Sequence, residues 1–323
     1  TTSAITIEDP TLGYLGDFTT DDEMYDQFST IYMSIGGSTF SYSPVNGGAG
    51  TDTLVGKDSG TAFTFTGSNA GTATGITSGF TNVENINGGT GNDTFTFVGG
   101  TIAGTITGGS GTDTIIGNTG SSNTFTVTGA NSGAANGVTY NTVENLTGGT
   151  AADTFTVNGG TLSGTIDGST GTDTLSAIDA GTHPFTITGT NAGAITGFVG
   201  SYTAIENLTG GTGNDSFTFT NGQGITGSIN GGAGGTNYIN VAAYTTTVNV
   251  VLTSSTAGNY SGTTSGTPNP IGAGFSNINQ FDSAAAANVS NSLTTSNANT
   301  TVTLTGVSAN HGFAGTATDG TGV

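Results

Sequence analysis

Six aspartates recur at positions where carboxylate chemistry is possible. Asp52, Asp93, Asp113, Asp153, Asp173 and Asp215 each close a glycine-rich turn, as in Gly88-Gly89-Thr90-Gly91-Asn92-Asp93. A seventh, degenerate copy has Thr236 at that place, and the steps along the series are 41, 20, 40, 20, 42 and 21 residues. Glycine admits positive φ angles and lets a tight turn point its carbonyls inward. A hard cation such as Ca2+ takes about six to eight oxygens at roughly 2.3–2.6 Å. One turn supplies too few, but two turns stacked on neighbouring coils supply two carboxylates and several carbonyls. The 20-residue steps pair Asp93 with Asp113 and Asp153 with Asp173. Asp215 faces the degenerate turn at Thr236 and Asn237, and Asp52 is expected to have no partner one coil later. The other reading is a dry turn in which each carboxylate bonds its own backbone. Glu84, Glu144 and Glu206 stand shortly before the major turns. They either join a cation shell or are solvated strand ends.

A step near 20 residues, doubled at alternate places, implies a coil repeated along an axis. The short repeat lies inside a longer one. The Phe63-Thr-Phe-Thr-Gly-Ser-Asn-Ala-Gly segment returns at Phe125 and Phe185, and each copy leads to a Val/Ile-Glu-Asn-Ile/Leu run at Val83, Val143 and Ile205. The unit thus comprises three coils, two of which carry a Gly-Asp turn. Runs such as Thr94-Phe95-Thr96-Phe97 and Ser216-Phe217-Thr218-Phe219 place apolar side chains at every second position, the pattern of a strand with one buried face. Such coils are too short for crossover helices, so their strands are expected to stack in parallel. The fold class expected is all-β, a parallel β-solenoid of roughly 20-residue coils. Thr20-Asp21-Asp22-Glu23 reads as a capping box, and Met24, Phe28, Ile31 and Tyr32 follow at helical spacing. They predict one short N-terminal helix over residues 20–34, covering the open end of the solenoid. The expected division is a cap over 1–44, the Gly-Asp solenoid over 45–240, and a degenerate repeat with a terminal strand over 241–323. In that last part Asn279 replaces the glutamate, Ala284 to Ala287 stand where a Gly-Asp turn is expected, and Thr300 to Thr305 is a cap or assembly strand.

Composition narrows the function. The chain of 323 residues holds 59 glycines, 21 acidic residues, one Lys or Arg side chain (Lys57) and no cysteine, with a net charge of −20. That charge excludes electrostatic attraction to nucleic acid or anionic membranes and favours cations. Neither a disulfide framework nor a thiolate metal site is possible. There is no apolar run long enough for a membrane-spanning helix. The start at Thr1, without a signal peptide or initiator Met, suggests a processed form or an excised fragment. His183 and His311 are the two histidines, and neither recurs with the repeat. His183 precedes Pro184 and reads as a structural loop residue. The recurrence of the carboxylates argues for architecture over a glycosidase dyad, and the expectation is a protein that is not an enzyme.

The turn G-G-x-G-x-D-x-U-x resembles the repeat of the RTX, or haemolysin-type, calcium-binding proteins. Positions 47–55, 88–96, 108–116 and 210–218 match it, whereas 148–156, 168–176 and 231–239 depart through Ala151, Ser169 and Thr236. The nonapeptides here are isolated on longer coils, unlike the contiguous runs of that family's β-roll. The resemblance implies Ca2+ as cofactor, with Asp52, Asp93, Asp113, Asp153, Asp173 and Asp215 as metal ligands. It implies a secreted or cell-surface structural protein of the bacterial adhesin, surface-layer or biofilm-matrix kind. Such a protein self-assembles into a filament or lattice, and its expected partners are its own copies and cell-surface or matrix polysaccharide. A rigid adhesin spacer is one alternative. Calcium-dependent ice binding is another, prompted by Thr90-Gly91-Asn92-Asp93 and Thr212-Gly213-Asn214-Asp215, but two of seven turns carry that tetrapeptide whereas an ice face needs a rank on every coil.

Overall fold

A computed structural model describes residues 5–9, 13–18, 30–32, 45–256, 259–282 and 292–295. The described chain is all-β and forms a solenoid. Strands alternate between a 14-stranded and a 15-stranded sheet, and a separate antiparallel pair joins Ile5–Asp9 to Gly13–Phe18. Asn85–Thr90 lies in the larger sheet, Thr94–Phe97 in the smaller, Thr105–Ser110 in the larger and Thr114–Ile116 in the smaller. Two strands therefore make one coil, and Thr94 pairs in parallel with Thr114, as the 20-residue step requires. With strands about 4.8 Å apart, the smaller sheet extends roughly 60 Å along the axis.

The period-two pattern explains the core. Phe63, Phe95, Ile115, Leu146 and Ile166 follow one another on successive strands of the smaller sheet, all fully buried or nearly so. Each of the first three units places one stacked ring pair at the same point: Phe63 on Phe95 at 5.3 Å, Phe125 on Phe155 at 4.8 Å and Phe185 on Phe217 at 4.8 Å. Offset rings at these distances add about 0.5–1.5 kcal/mol per pair beyond their area, which fixes register between coils that polar backbone bonds alone leave free to slip.

The third coil of each unit differs from the all-parallel expectation. It is a three-stranded antiparallel meander, formed by Ala62–Gly67, Ala70–Ala73 and Ile76–Thr81 in the first unit. Its glycines explain why. A methyl group on Gly133 would stand 1.8 Å from the Thr126 carbonyl oxygen, and one on Gly193 would stand 1.8 Å from that of Thr186. The backbones approach this closely because an aromatic ring covers the bare glycine. The Tyr140 hydroxyl reaches over Gly133 to donate to Thr126 O at 3.0 Å, and Tyr202 does the same to Thr186 O at 3.4 Å. Phe80 and Phe275 take the ring's place at Gly71 and Gly262.

The meanders also change sheets. The first and third lie in the 14-stranded sheet, and those beginning at Thr124 and Val248 lie in the 15-stranded one. Four alternating strands separate consecutive meanders. The chain thus crosses between sheets an odd number of times per unit, and each unit is turned over relative to the last. The coil pattern persists beyond the fourth meander. Ser292–Thr295 pairs in parallel with Val248–Thr256, as Thr154–Val157 does with Thr124–Gly129.

At the N-terminus the helix expected over 20–34 is not what the described residues there form. Thr30–Tyr32 is a strand, paired in parallel with Thr53–Val55. A strand there satisfies the backbone groups of the sheet's last edge, which a helix cannot do. The rest of that span lies outside the described residues, as do Ala284 to Ala287 and Thr300 to Thr305. No helix among the described residues is long and apolar enough to cross a membrane.

Candidate functional site: the buried carboxylate columns

Each recurrent aspartate immediately precedes an inward-facing strand, so the coil register stacks these residues into columns. Thr61, Asp93, Asp113 and Glu144 form the first. Asn123, Asp153, Asp173 and Glu206 form the second. His183, Asp215, Asn237 and Asn279 form the third. The expected neighbours Asp93 and Asp113 are together, as are Asp153 and Asp173, and Asp215 meets Asn237. Asp52, expected to lack a partner, in fact meets Glu84 in the adjacent coil, because the meander lies between them in the sequence.

One hydrogen bond repeats down every column. The backbone N–H of each member donates to a side-chain oxygen of the next. The distances are 2.5, 2.7 and 2.8 Å in the first column, 2.6, 2.7 and 2.7 Å in the second, and 3.0, 3.1 and 2.6 Å in the third. All six aspartates are buried, none more than 4% exposed. These N–H groups sit just outside the strand ladders, where a buried donor without a partner costs about 1–3 kcal/mol. The columns therefore complete the backbone pairing of the solenoid.

The glutamates are half-buried and hydrogen-bonded, not solvated strand ends. Each closes a column with both oxygens. Glu144 Oε2 accepts from Asp113 N at 2.8 Å and its Oε1 from Asn131 Nδ2 at 2.9 Å. Glu84 does the same with Asp52 and Asn69, and Glu206 with Asp173 and Asn191. The asparagines sit at positive φ in the first turn of each meander and also accept a backbone N–H from the next unit, as Asn131 does from Ser163 at 2.9 Å. They tie meander to column. The fourth unit keeps the tie with its polarity reversed, because Asn279 Nδ2 donates to Asn259 Oδ1 at 2.8 Å. The recurrence of Asn69, Asn131 and Asn191 ahead of the three glutamates was the signal for this pairing. We expect Glu144→Ala to cost about 2–3 kcal/mol, because two donors lose their acceptor. Glu144→Gln combined with Asn131→Asp reproduces the reversed polarity and is expected to recover most of that loss in thermal melts.

His183 lies in the turn just before the Pro184–Gly189 strand and is a column member. It is fully buried, with Nδ1 2.9 Å from Asp215 Oδ1, Nε2 3.2 Å from Asp179 Oδ1 and its ring against Phe198. Partial burial raises the Asp179 pKa, but the N–H groups of Gly181 and Gly159 and the adjacent His183 outweigh it and hold the carboxyl below its usual range.

The second oxygens differ between aspartates. Asp153 Oδ2 accepts from Gly149 N at 2.6 Å and Asp215 Oδ2 from Gly211 N at 2.8 Å, so each bonds its own turn. The Oδ2 atoms of Asp93, Asp113 and Asp173 are buried without a hydrogen-bond partner. Burial first, and then the neighbouring Asp113, push the Asp93 carboxyl up to about 6 against the opposing N–H of Thr61. Burial likewise dominates at Asp173, pushed up to about 6, and raises Asp113. A calcium shell needs many oxygens converging on one point. The columns instead present N–H donors to every Oδ1 and to two of the Oδ2 atoms. Among the described residues no group of three or more His, Asp or Glu side chains gathers as metal ligands do. In the two expected pairs, Asp93 with Asp113 and Asp153 with Asp173, each Oδ1 is thus already engaged by an N–H donor. No family model, curated protein or solved structure matches the chain.

Proposed function

We propose that the chain is a non-enzymatic structural protein, a stiff β-solenoid rod of an extracellular bacterial surface or matrix, which assembles with copies of itself. One observation carries this reading: the recurrent ionisable side chains are spent inside the rod. Every column aspartate accepts a backbone N–H from the adjacent coil, so the groups that could act on a substrate hold coils in register instead. What faces outward on the strands is largely hydroxyl and amide, as at Thr94, Thr96, Thr126, Thr154 and Asn207. Faces with little charge oppose close packing of rods less than the net charge of −20 implies.

Electron microscopy of the chain tests the reading. Filaments or sheets are expected, and deletion of residues 290–323 is expected to dissolve them if the terminal segment is donated to a neighbour. Single rods under all conditions would instead favour a monomeric adhesin spacer.

A further inference from the structure

The third column shows what the orphaned oxygens of the other two require. Asn237 occupies the position that Asp173 and Asp113 hold one and two units earlier, followed by Asn279 where they are followed by Glu206 and Glu144. Its Oδ1 accepts Asp215 N at 3.1 Å, as theirs accept Asp93 N and Asp153 N at 2.7 Å. Its Nδ2 does what Oδ2 of an ionised aspartate cannot: it donates to the Asn277 carbonyl at 3.1 Å. The equivalent carbonyls belong to Thr142 and Ala204. These residues and Asn277 all hold positive φ, 50°, 50° and 54°, which turns each carbonyl towards the column. The first glycine of each turn neighbours both the carbonyl and the column side chain in all three units. A methyl group on Gly231 would stand 2.0 Å from Asn277 O and 2.7 Å from Asn237 Nδ2. One on Gly168 would stand 2.0 Å from Ala204 O and 2.7 Å from Asp173 Oδ2, and one on Gly108 would stand 2.0 Å from Thr142 O and 2.4 Å from Asp113 Oδ2. A buried, unpartnered carboxylate oxygen that faces a carbonyl is unfavourable unless a hydrogen or a cation lies between them.

We propose that Asp113 and Asp173 bind a proton on Oδ2 and donate it to the Thr142 and Ala204 carbonyls, making these positions proton sites that mimic the Asn237 amide and not divalent-cation sites. A non-glycine residue at positive φ is costly, most of all the β-branched Thr142, and the bond formed by the aimed carbonyl offsets that cost. The charged groups around each site favour the same occupant. Asp93 and Glu144 flank Asp113, and Asp153, Glu206 and Asp167 surround Asp173, all of them acids.

The pH dependence follows with a definite sign. A carboxyl whose pKa is raised by folding binds its proton more tightly in the folded state. Its stabilisation is complete below the unfolded value, 3.8, and is lost as pH rises through the folded value, about 6 for Asp173. The rod is therefore expected to melt at a higher temperature at pH 5 than at pH 8.

The experiment is a set of thermal melts of the full chain from pH 4.5 to 8.5, in chelator and in millimolar calcium chloride, on the wild type and on the double variant Asp113→Asn, Asp173→Asn. The variant is expected to melt about 5 °C or more above the wild type at pH 8, with a flatter pH profile, and calcium is expected to shift neither protein. A calcium-induced rise in the wild type that the variant loses would overturn the proposal in favour of a cation, as would a variant that melts lower than the wild type at every pH. Should the variant fail to fold, infrared spectra of the wild type decide. A protonated-carboxyl band that persists at pH 5.5 supports the proposal, and its absence refutes it. This outcome is independent of whether the rods assemble.

Discussion

Replacing Gly133 by alanine is expected to be among the most damaging single changes in the rod. The new methyl would stand 1.8 Å from the Thr126 carbonyl and 3.0 Å from the Tyr140 hydroxyl. Neither can retreat independently. Thr126 pairs in parallel with Thr156 and antiparallel with Ala134, and Tyr140 is fully buried and bonded to Thr126 O. The meander must spread or the ring must leave. Overpacking a closed site costs about 1–3 kcal/mol, and losing the buried hydroxyl bond adds about 1 kcal/mol. At about 2–4 °C per kcal/mol for a chain of this class, a drop of roughly 10 °C in melting temperature is expected. Gly137→Ala separates crowding from backbone strain. Gly137 has positive φ, +84°, which Gly133 lacks, and an added methyl there meets nothing within 4 Å. That variant is expected to lose only about 1 kcal/mol. Equal losses at the two glycines would show that close backbone approach does not govern the meander.

The second large effect is expected at Asp153, with opposite signs at adjacent rungs. Asp153 accepts from Asn123 N at 2.6 Å, Asn123 Nδ2 at 2.8 Å and Gly149 N at 2.6 Å. Three donors converge on one carboxylate, and hydrogen bonds to a charged acceptor are worth about 1.5–3 kcal/mol each. Asp153→Ala is expected to cost on the order of 4 kcal/mol. Asp153→Asn leaves room for no good orientation, because the amide points its own N–H at either Gly149 or Asn123. It is expected to cost about 2 kcal/mol. One coil on, Asp173→Asn places the same amide against a carbonyl and is expected to stabilise at pH 8. Chemical denaturation of the two asparagine variants at that pH reads both signs. A stability change of the same sign at both positions would contradict the assignment of donors and acceptors along the column.

The parallel coils were legible in the chain itself, for a local reason. A strand shows one face to the core, so Thr-Phe-Thr-Phe and its copies must alternate, and glycine-rich turns must separate them. Sequence spacing then paired Asp93 with Asp113 and Asp153 with Asp173, because parallel stacking converts a fixed step into adjacency. Whatever depends on more than one step was decided only by the tertiary structure. The meander runs backward, so Asp93 lies beside Thr61 and Asp153 beside Asn123, pairs that no uniform 20-residue step predicts. For the same reason Asp52 meets Glu84, and His183 caps a column. An odd number of crossings turns each unit over, which composition cannot show. The direction of a hydrogen bond was hidden as well: aspartate signals an acceptor, but whether its second oxygen meets the Gly149 N–H or the Ala204 carbonyl depends on a backbone turned to positive φ in a different coil.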